Sequence, residues 1–344
     1  MYVHQNYSFA ILRPIQRYII ENGGKVAWFL EGNEVDHDLL ERHEHQLCSI
    51  KDIQQWKPNA TFVPGNVVPS FIPGVKVAVF HGFNSGKLNR RGRLDHFEIR
   101  GCFDLYCTQG PNTTSEFVKL SKQYGFFDVV ETGWPTLDPM FTEEGINPYR
   151  SEDKRPVLLF CSTFSHKYSC APKLKSRIKE LRDSKKYRIL VQFHPKMDEE
   201  TVLSYKKLED ESLMFVETNN LIPLIKIADV MLCDTSSAVQ MFLLAKKPVV
   251  TFRTQFPMPY LLDIQDESDL NDAISEVLSK PTVLMNEIES YRQQLHPYCD
   301  GKSAERVVNA TNKIIETGTS HLGKKPLNII RNLKMRRKLN YWKV

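Results

Sequence analysis

No run of apolar residues in this 344-residue chain approaches the ~18–20 needed to cross a bilayer, so no segment is expected to span one. The opening residues Met1-Tyr2-Val3-His4-Gln5-Asn6 lack the basic and apolar blocks of a secretory leader. The seven cysteines (Cys48, Cys102, Cys107, Cys161, Cys170, Cys233 and Cys299) are odd in number, with no pair at CxxC spacing. That sets aside a structural zinc site and a disulfide framework. Several stand in apolar runs, as in Leu159-Phe160-Cys161 and Met231-Leu232-Cys233, where a free thiol acts as a small hydrophobe. A reduced, cytoplasmic protein is expected. The phosphate-cradling patterns GxGxxG and GxxxxGK[ST] are missing too, which disfavours a dinucleotide oxidoreductase or a P-loop enzyme. Internal repeats and low-complexity segments are absent.

What is present is an ordinary globular composition, 41% hydrophobic and 25% charged, in a chain long enough for two domains. The net charge of +5 is not spread evenly. Lys324, Lys325, Arg331, Lys334, Arg336, Arg337, Lys338 and Lys343 crowd into residues 323–344 without one acid. The rest is close to neutral, so the basicity belongs to a tail and no nucleic-acid partner is expected. Residues 327–337 combine a helical apolar stripe with a cationic face, and Tyr341-Trp342 follow. That fits docking at an anionic lipid surface, here the inner face of the cytoplasmic membrane. A disordered basic terminus is the plainer alternative.

Short β-branched runs alternate with helix-length amphipathic runs, the pattern of βαβ units and parallel sheets. Strands are expected at 25–30, 75–80, 105–107, 129–130, 156–160, 187–193, 214–216, 230–233 and 248–252. The expected layout is a doubly wound domain over 1–140, a polar linker over 141–155, a second such domain over 156–318 and the tail over 319–344. In doubly wound sheets, ligands bind outside the carboxyl ends of the strands.

Four turns at such ends carry the chemistry. His194-Pro195 follows an apolar strand, where an imidazole can bind phosphate or move a proton. Asp234-Thr235-Ser236-Ser237 follows another strand and opens a helix, offering hydroxyls and unpaired N–H groups to an anion. Helix capping is the plainer reading of that turn, and a second strand-end site in the same sheet favours phosphate. Ser162-Thr163 opens a hydroxyl-rich turn after the first strand of this half, with an ordinary Ser/Thr turn as the alternative. In the first half, His81-Gly82 ends a strand, and Gly82 permits close backbone approach. Lys87, Arg90, Arg91 and Arg93 follow, with Asp95 and His96 beyond. A histidine facing cations suits a general base beside an anionic substrate, and a solvated basic loop is the alternative. Tyr298 to Ser303 begins a further helix, with Lys302 and Arg306 nearby.

As an ordered set, Phe103-Asp104-Leu105-Tyr106, Glu131-Thr132-Gly133-Trp134-Pro135, His194-Pro195, Asp234 to Ser237 and Tyr298 to Arg306 resemble the CDP-glycerol:poly(glycerophosphate) glycerophosphotransferases. These are the teichoic acid primases and polymerases. The resemblance runs over about 1–315. It implies an α/β GT-B fold, two Rossmann-like domains facing a central cleft, and a CDP-activated polyol phosphate donor held by the second domain. By that resemblance His81 is the base for the acceptor hydroxyl and His194 steadies the donor pyrophosphate. Ser236 and Ser237 hold donor phosphate, and Lys302 and Arg306 close over it. Ser162, Thr163, Pro195, Asp234 and Thr235 join the donor side, and Gly82, Lys87 and Arg90 the acceptor side. No metal or resident cofactor is implied.

The implied activity is transfer of glycerol phosphate or a related polyol phosphate to a lipid-linked or cell-surface glycan acceptor in bacterial envelope polysaccharide synthesis. The rivals are a GT-B glycosyltransferase using a CMP-sugar (Kdo or sialic acid), one using a UDP-sugar, and a non-catalytic glycan-binding protein of the same fold. Met241 stands where UDP-using relatives place an acid, which weighs against UDP.

Overall fold

The computed structural model describes residues 1–32, 34–84, 88–89, 91–142, 147–218, 220–236 and 238–342, and counts and absences refer to these. The chain divides into two compact units, Met1–Thr142 with Gln294–Val344, and Glu143–Gln293.

The first unit contains a parallel pair, β1 (Tyr2–Val3) and β2 (Phe29–Leu30), and a parallel sheet of β3 (Ala60–Val63), β4 (Val75–Ala78), β5 (Leu105–Thr108) and β6 (Asp128–Glu131) in that order. Helices α1 (Ser8–Glu21), α2 (Ile50–Trp56), α3 (Pro111–Tyr124) and the short α4 (Asp138–Phe141) connect them. Their ends follow from local chemistry. Ser49 and Asp52 form a capping box at the start of α2. Pro111 opens α3, and Gly125, at φ 72°, closes it. The strand expected over 25–30 shrinks to Phe29–Leu30, because its partner β1 is only two residues long. Trp28 bridges Gln46 instead.

The second unit is one parallel sheet of β7 (Val157–Ser162), β8 (Arg188–Phe193), β9 (Leu213–Phe215), β10 (Val230–Cys233), β11 (Val249–Phe252) and β12 (Leu262–Ile264). It is covered by α5 (Ala171–Asp183), α6 (Glu199–Lys206), α7 (Ile222–Ile227), α8 (Ala238–Leu244), α9 (Leu270–Leu278) and much of α10 (Thr282–Leu295). The order β9-β8-β7-β10-β11-β12 is the doubly wound 3-2-1-4-5-6, whose strand order reverses between β7 and β10. All six β7 residues are buried. That is why the central strands read as unbroken apolar runs, the mark of a parallel sheet covered on both faces. Each fully buried aliphatic or Phe side chain there contributes about 1.5–3 kcal/mol.

The second unit ends at Gln293 rather than at the expected 318. The reason is α11 (Ser303–Thr317), whose buried stripe of Val307, Val308, Thr311 and Ile314 packs on α1 and β4 of the first unit. The Asp138 carboxylate accepts the N–H groups of Ser303 (2.9 Å) and Ala304 (2.8 Å), fixing the start of that helix.

The tail is also ordered on the first unit, through α12 (Ile329–Lys338). Lys325 Nζ meets Asp104 and Lys338 Nζ meets the buried Glu31, each at 2.6 Å. The Arg336 guanidinium lies over the Phe71 ring, and Tyr341 packs on Phe71. A disordered terminus is thereby excluded for 323–342. Among the described residues no helix is long and apolar enough to cross a membrane.

Candidate functional site

The second unit brings three of the predicted turns to neighbouring strands. His194 follows β8, Ser162 ends β7 with Thr163 next, and Asp234 follows β10. These strands are adjacent in the order β8-β7-β10, so the turns lie at the reversal point, about 4.8 Å apart per strand step.

Asp234 is buried at 1% exposure. Its carboxylate accepts the Ser162 hydroxyl (2.5 Å) and the N–H groups of Thr163 (2.9 Å) and Cys170 (3.0 Å). Ser162 Oγ also pairs with Ser169 Oγ at 2.9 Å. Asp234 and Ser162 were expected at the donor phosphate. The structure turns both inward, where they tie the β7–α5 loop to the end of β10. The physical reason is charge: a buried carboxylate needs several donors, and the loop supplies them.

Thr235 Oγ1 accepts the Gln255 N–H at 3.0 Å and lies 3.4 Å from Thr254 Oγ1. Ser236 Oγ accepts the Ala238 N–H at 3.3 Å, the capping contact of the plainer reading. Ser237 lies outside the described residues, as do Lys87 and Arg90.

His194 is exposed, and its ring lies 4.6 Å from that of Phe164. Its Nδ1 accepts the Lys196 N–H at 3.1 Å, so the neutral ring carries its proton on Nε2, free to donate to an anion. Partial burial, aided by Lys196, lowers its pKa and favours that neutral form. Pro195 lies in the turn beside it.

In the first unit His81 is also near a strand end, three residues beyond β4. The preceding Phe80 has φ 56°, a left-handed conformation costing a bulky residue about 1–3 kcal/mol. Its ring is held between His96 (5.0 Å) and Phe117 (5.2 Å). His81 Nδ1 lies 3.1 Å from the Pro64 carbonyl oxygen. A carbonyl only accepts, so Nδ1 carries a proton, and in the neutral ring Nε2 keeps the lone pair. Gly82 has open space where a Cβ would stand and no positive φ, so nothing in the fold itself demands glycine. Its carbonyl accepts from the fully buried Gln109 at 2.9 Å. Arg91 and Arg93 are exposed, their N–H groups held by Asn89 Oδ1.

Lys302 and Arg306 belong to the first unit rather than the second. Arg306 pairs with Asp300 and lies 4.1 Å over the Tyr298 ring, whose hydroxyl donates to Glu131 at 3.1 Å. Lys302 is exposed, 3.9 Å from Glu305. The 131–135 and 298–306 segments are thus one packed cluster, with the Trp134 N–H donating to His296 Nε2 at 2.9 Å.

Sequence reasoning missed Tyr7, whose ring stacks on His81 at 5.4 Å, and His4, which fills the space above Gly65. His4 follows β1, so the strand-end rule would have found it, but a two-residue strand leaves no periodic signal. Ser169 and Gln109 had no signal, since neither stands beside a motif.

The family model for CDP-Glycerol:Poly(glycerophosphate) glycerophosphotransferase matches residues 96–260. The matched span includes His194, Ser162 to Thr163 and Asp234 to Ser237, but not His81. Among solved structures, the wall teichoic acid polymerase TagF aligns with TM-score 0.62 at 13% identity, covering 92% of this chain and 89% of that one. A UDP-N-acetylglucosamine 2-epimerase aligns with TM-score 0.59 at 13% identity, covering 95% and 97%. The S. aureus MnaA–UDP co-structure gives 0.60 at 14%, covering 95% and 98%. At these identities the structures share the fold, and the fold of this chain is GT-B, with two Rossmann-like units. No curated protein sequence matches the chain.

Proposed function

We propose that the protein transfers glycerol phosphate, or a related polyol phosphate, from a CDP-activated donor to a hydroxyl of a lipid-linked or cell-surface glycan acceptor, in envelope polysaccharide synthesis at the cytoplasmic membrane face. The carrying observation is that His81 and His194 are held in opposite tautomers. One offers a lone pair at Nε2, the other an N–H. The family match over 96–260 supports the donor class.

In this reading the acceptor oxygen attacks the phosphorus that bears the polyol. The bond from that phosphorus to the bridging oxygen breaks, and CMP leaves with the bond's electron pair. His81 Nε2 takes the acceptor's proton. His194 Nε2–H, Thr163 and Ser236 serve the donor phosphates, where an N–H gains strength from the anion's charge. Asp234 and Ser162 position that loop without touching donor. Arg91 and Arg93 add positive potential on the acceptor side.

The test is CMP release from CDP-glycerol by the purified 344-residue chain with a polyol-phosphate glycan acceptor. His81→Ala is expected to cost 10²–10⁴-fold in kcat while donor binding holds. His194→Ala is expected to weaken donor binding as well. Absence of CMP with both CDP-glycerol and CDP-ribitol sinks the reading. Greater thermal stabilisation by UDP than by CMP would move the chain to the UDP-sugar class.

A further inference from the structure

The first unit contains a cavity of about 560 Å³ that no catalytic role uses. That is within the ~300–1,000 Å³ range of small-molecule sites and far above the voids of a packed core. Its depth is apolar, walled by Phe29, Leu47, Ile53, Phe62, Ile72 and Val308. Its polar lining includes Lys25 and Lys57, both exposed, and Asn59 and Asn312. Among the described lining residues there is no Asp or Glu.

Lys25 precedes β2 and Lys57 precedes β3, so the charged lining lies at the amino ends of the strands. His81 follows the carboxyl end of β4. None of His81, Gly82, Tyr7 and Arg91 lines the cavity. An acceptor held here would not present its hydroxyl to His81.

We propose that this cavity binds a single-chain amphipathic anion, with the hydrocarbon in the apolar depth and a phosphate or carboxylate between Lys25 and Lys57. Two cations in a described lining that holds no acid select the sign of the head, and the apolar wall selects the chain. The site stands whether or not the chain transfers polyol phosphate.

The probe is dodecyl phosphate, with laurate for the carboxylate head, titrated calorimetrically into the full chain below their micelle concentrations. Inorganic phosphate and dodecanol supply head and chain alone. One equivalent of dodecyl phosphate or laurate should bind, with each control at least tenfold weaker. Lys25→Glu combined with Lys57→Asn, which suits the left-handed φ of 49° at that position, should weaken binding tenfold or more. Asn312→Trp, a change at an exposed face of α11 that fills the cavity from its rim, should do the same. All these variants should keep the parent Tm. Three results overturn the proposal: no binding of either amphiphile, equal binding of dodecanol, or binding that survives both variants. Ile330→Ser with Leu333→Ser is the control for the exposed tail helix, and loss of binding there alone would also overturn it. CMP release from CDP-glycerol is measured in parallel, so failure of the cavity and failure of the transferase reading remain separate.

Discussion

The Asp234 carboxylate accepts the Ser162 hydroxyl at 2.5 Å across the two strands between which the sheet order reverses. Replacing Asp234 with Ala strands two buried donors, from Ser162 and Cys170, and the half-buried N–H of Thr163. The expected loss is about 2–4 kcal/mol in urea unfolding. Ser162→Ala removes one partner and should cost about 1 kcal/mol. Donor affinity should fall in both through the misplaced loop. If Asp234→Ala unfolds like the parent while losing donor binding, the carboxylate is a direct ligand and the positioning role is wrong.

Gly82 faces open space. Gly82→Ala should therefore leave Tm unchanged and lower kcat/KM for CMP release, because the added methyl occupies room a substrate needs. Full activity in that variant would remove Gly82 from the acceptor side.

Stability should depend on His96. Burial, with nearby His81 adding, lowers its pKa from 6.5 to about 4. Between those values the unfolded chain binds the proton and the folded chain does not. Stability from this group is complete above pH 6.5 and is lost as pH falls towards 4, by about 3 kcal/mol at most. His96→Phe keeps the ring on Phe80 and removes a buried Nε2 that has no hydrogen-bond partner. Urea midpoints should fall less steeply from pH 6.5 to 4 in this variant than in the parent. Equal slopes would contradict the assignment.

The tail helix exposes Ile330 (73%) and Leu333 (50%) beside Lys334 and Arg337. Vesicles rich in anionic lipid should sediment the parent, less so in 0.5 M salt, where screening shortens to a few ångströms. Ile330→Ser with Leu333→Ser should reduce sedimentation several-fold at constant Tm. Equal sedimentation of parent and variant would argue against a membrane role for this face.

Much of the candidate site was legible in advance because period-2 and unbroken apolar runs mark strands, and residues just after them stand at the sheet's carboxyl edge. That argument reaches His81, His194, Ser162 and Asp234 without any tertiary information. It stops at the direction of a side chain. Asp234 and Thr235 are neighbours in sequence, yet one carboxylate is spent inside the loop while Ser236, one residue further, is partly exposed.

The sequence by itself determined two parallel-sheet units, the turns at their strand ends and a basic, amphipathic tail, because each follows from local periodicity and charge. Only the tertiary structure decided that 294–344 return to the first unit, that Arg306 belongs to the Tyr298–Glu131 cluster, and that a cavity opens beside Lys25 and Lys57. An amphipathic stripe such as that of α11 states that a face is buried. It does not name the surface that buries it, because that partner is distant along the chain.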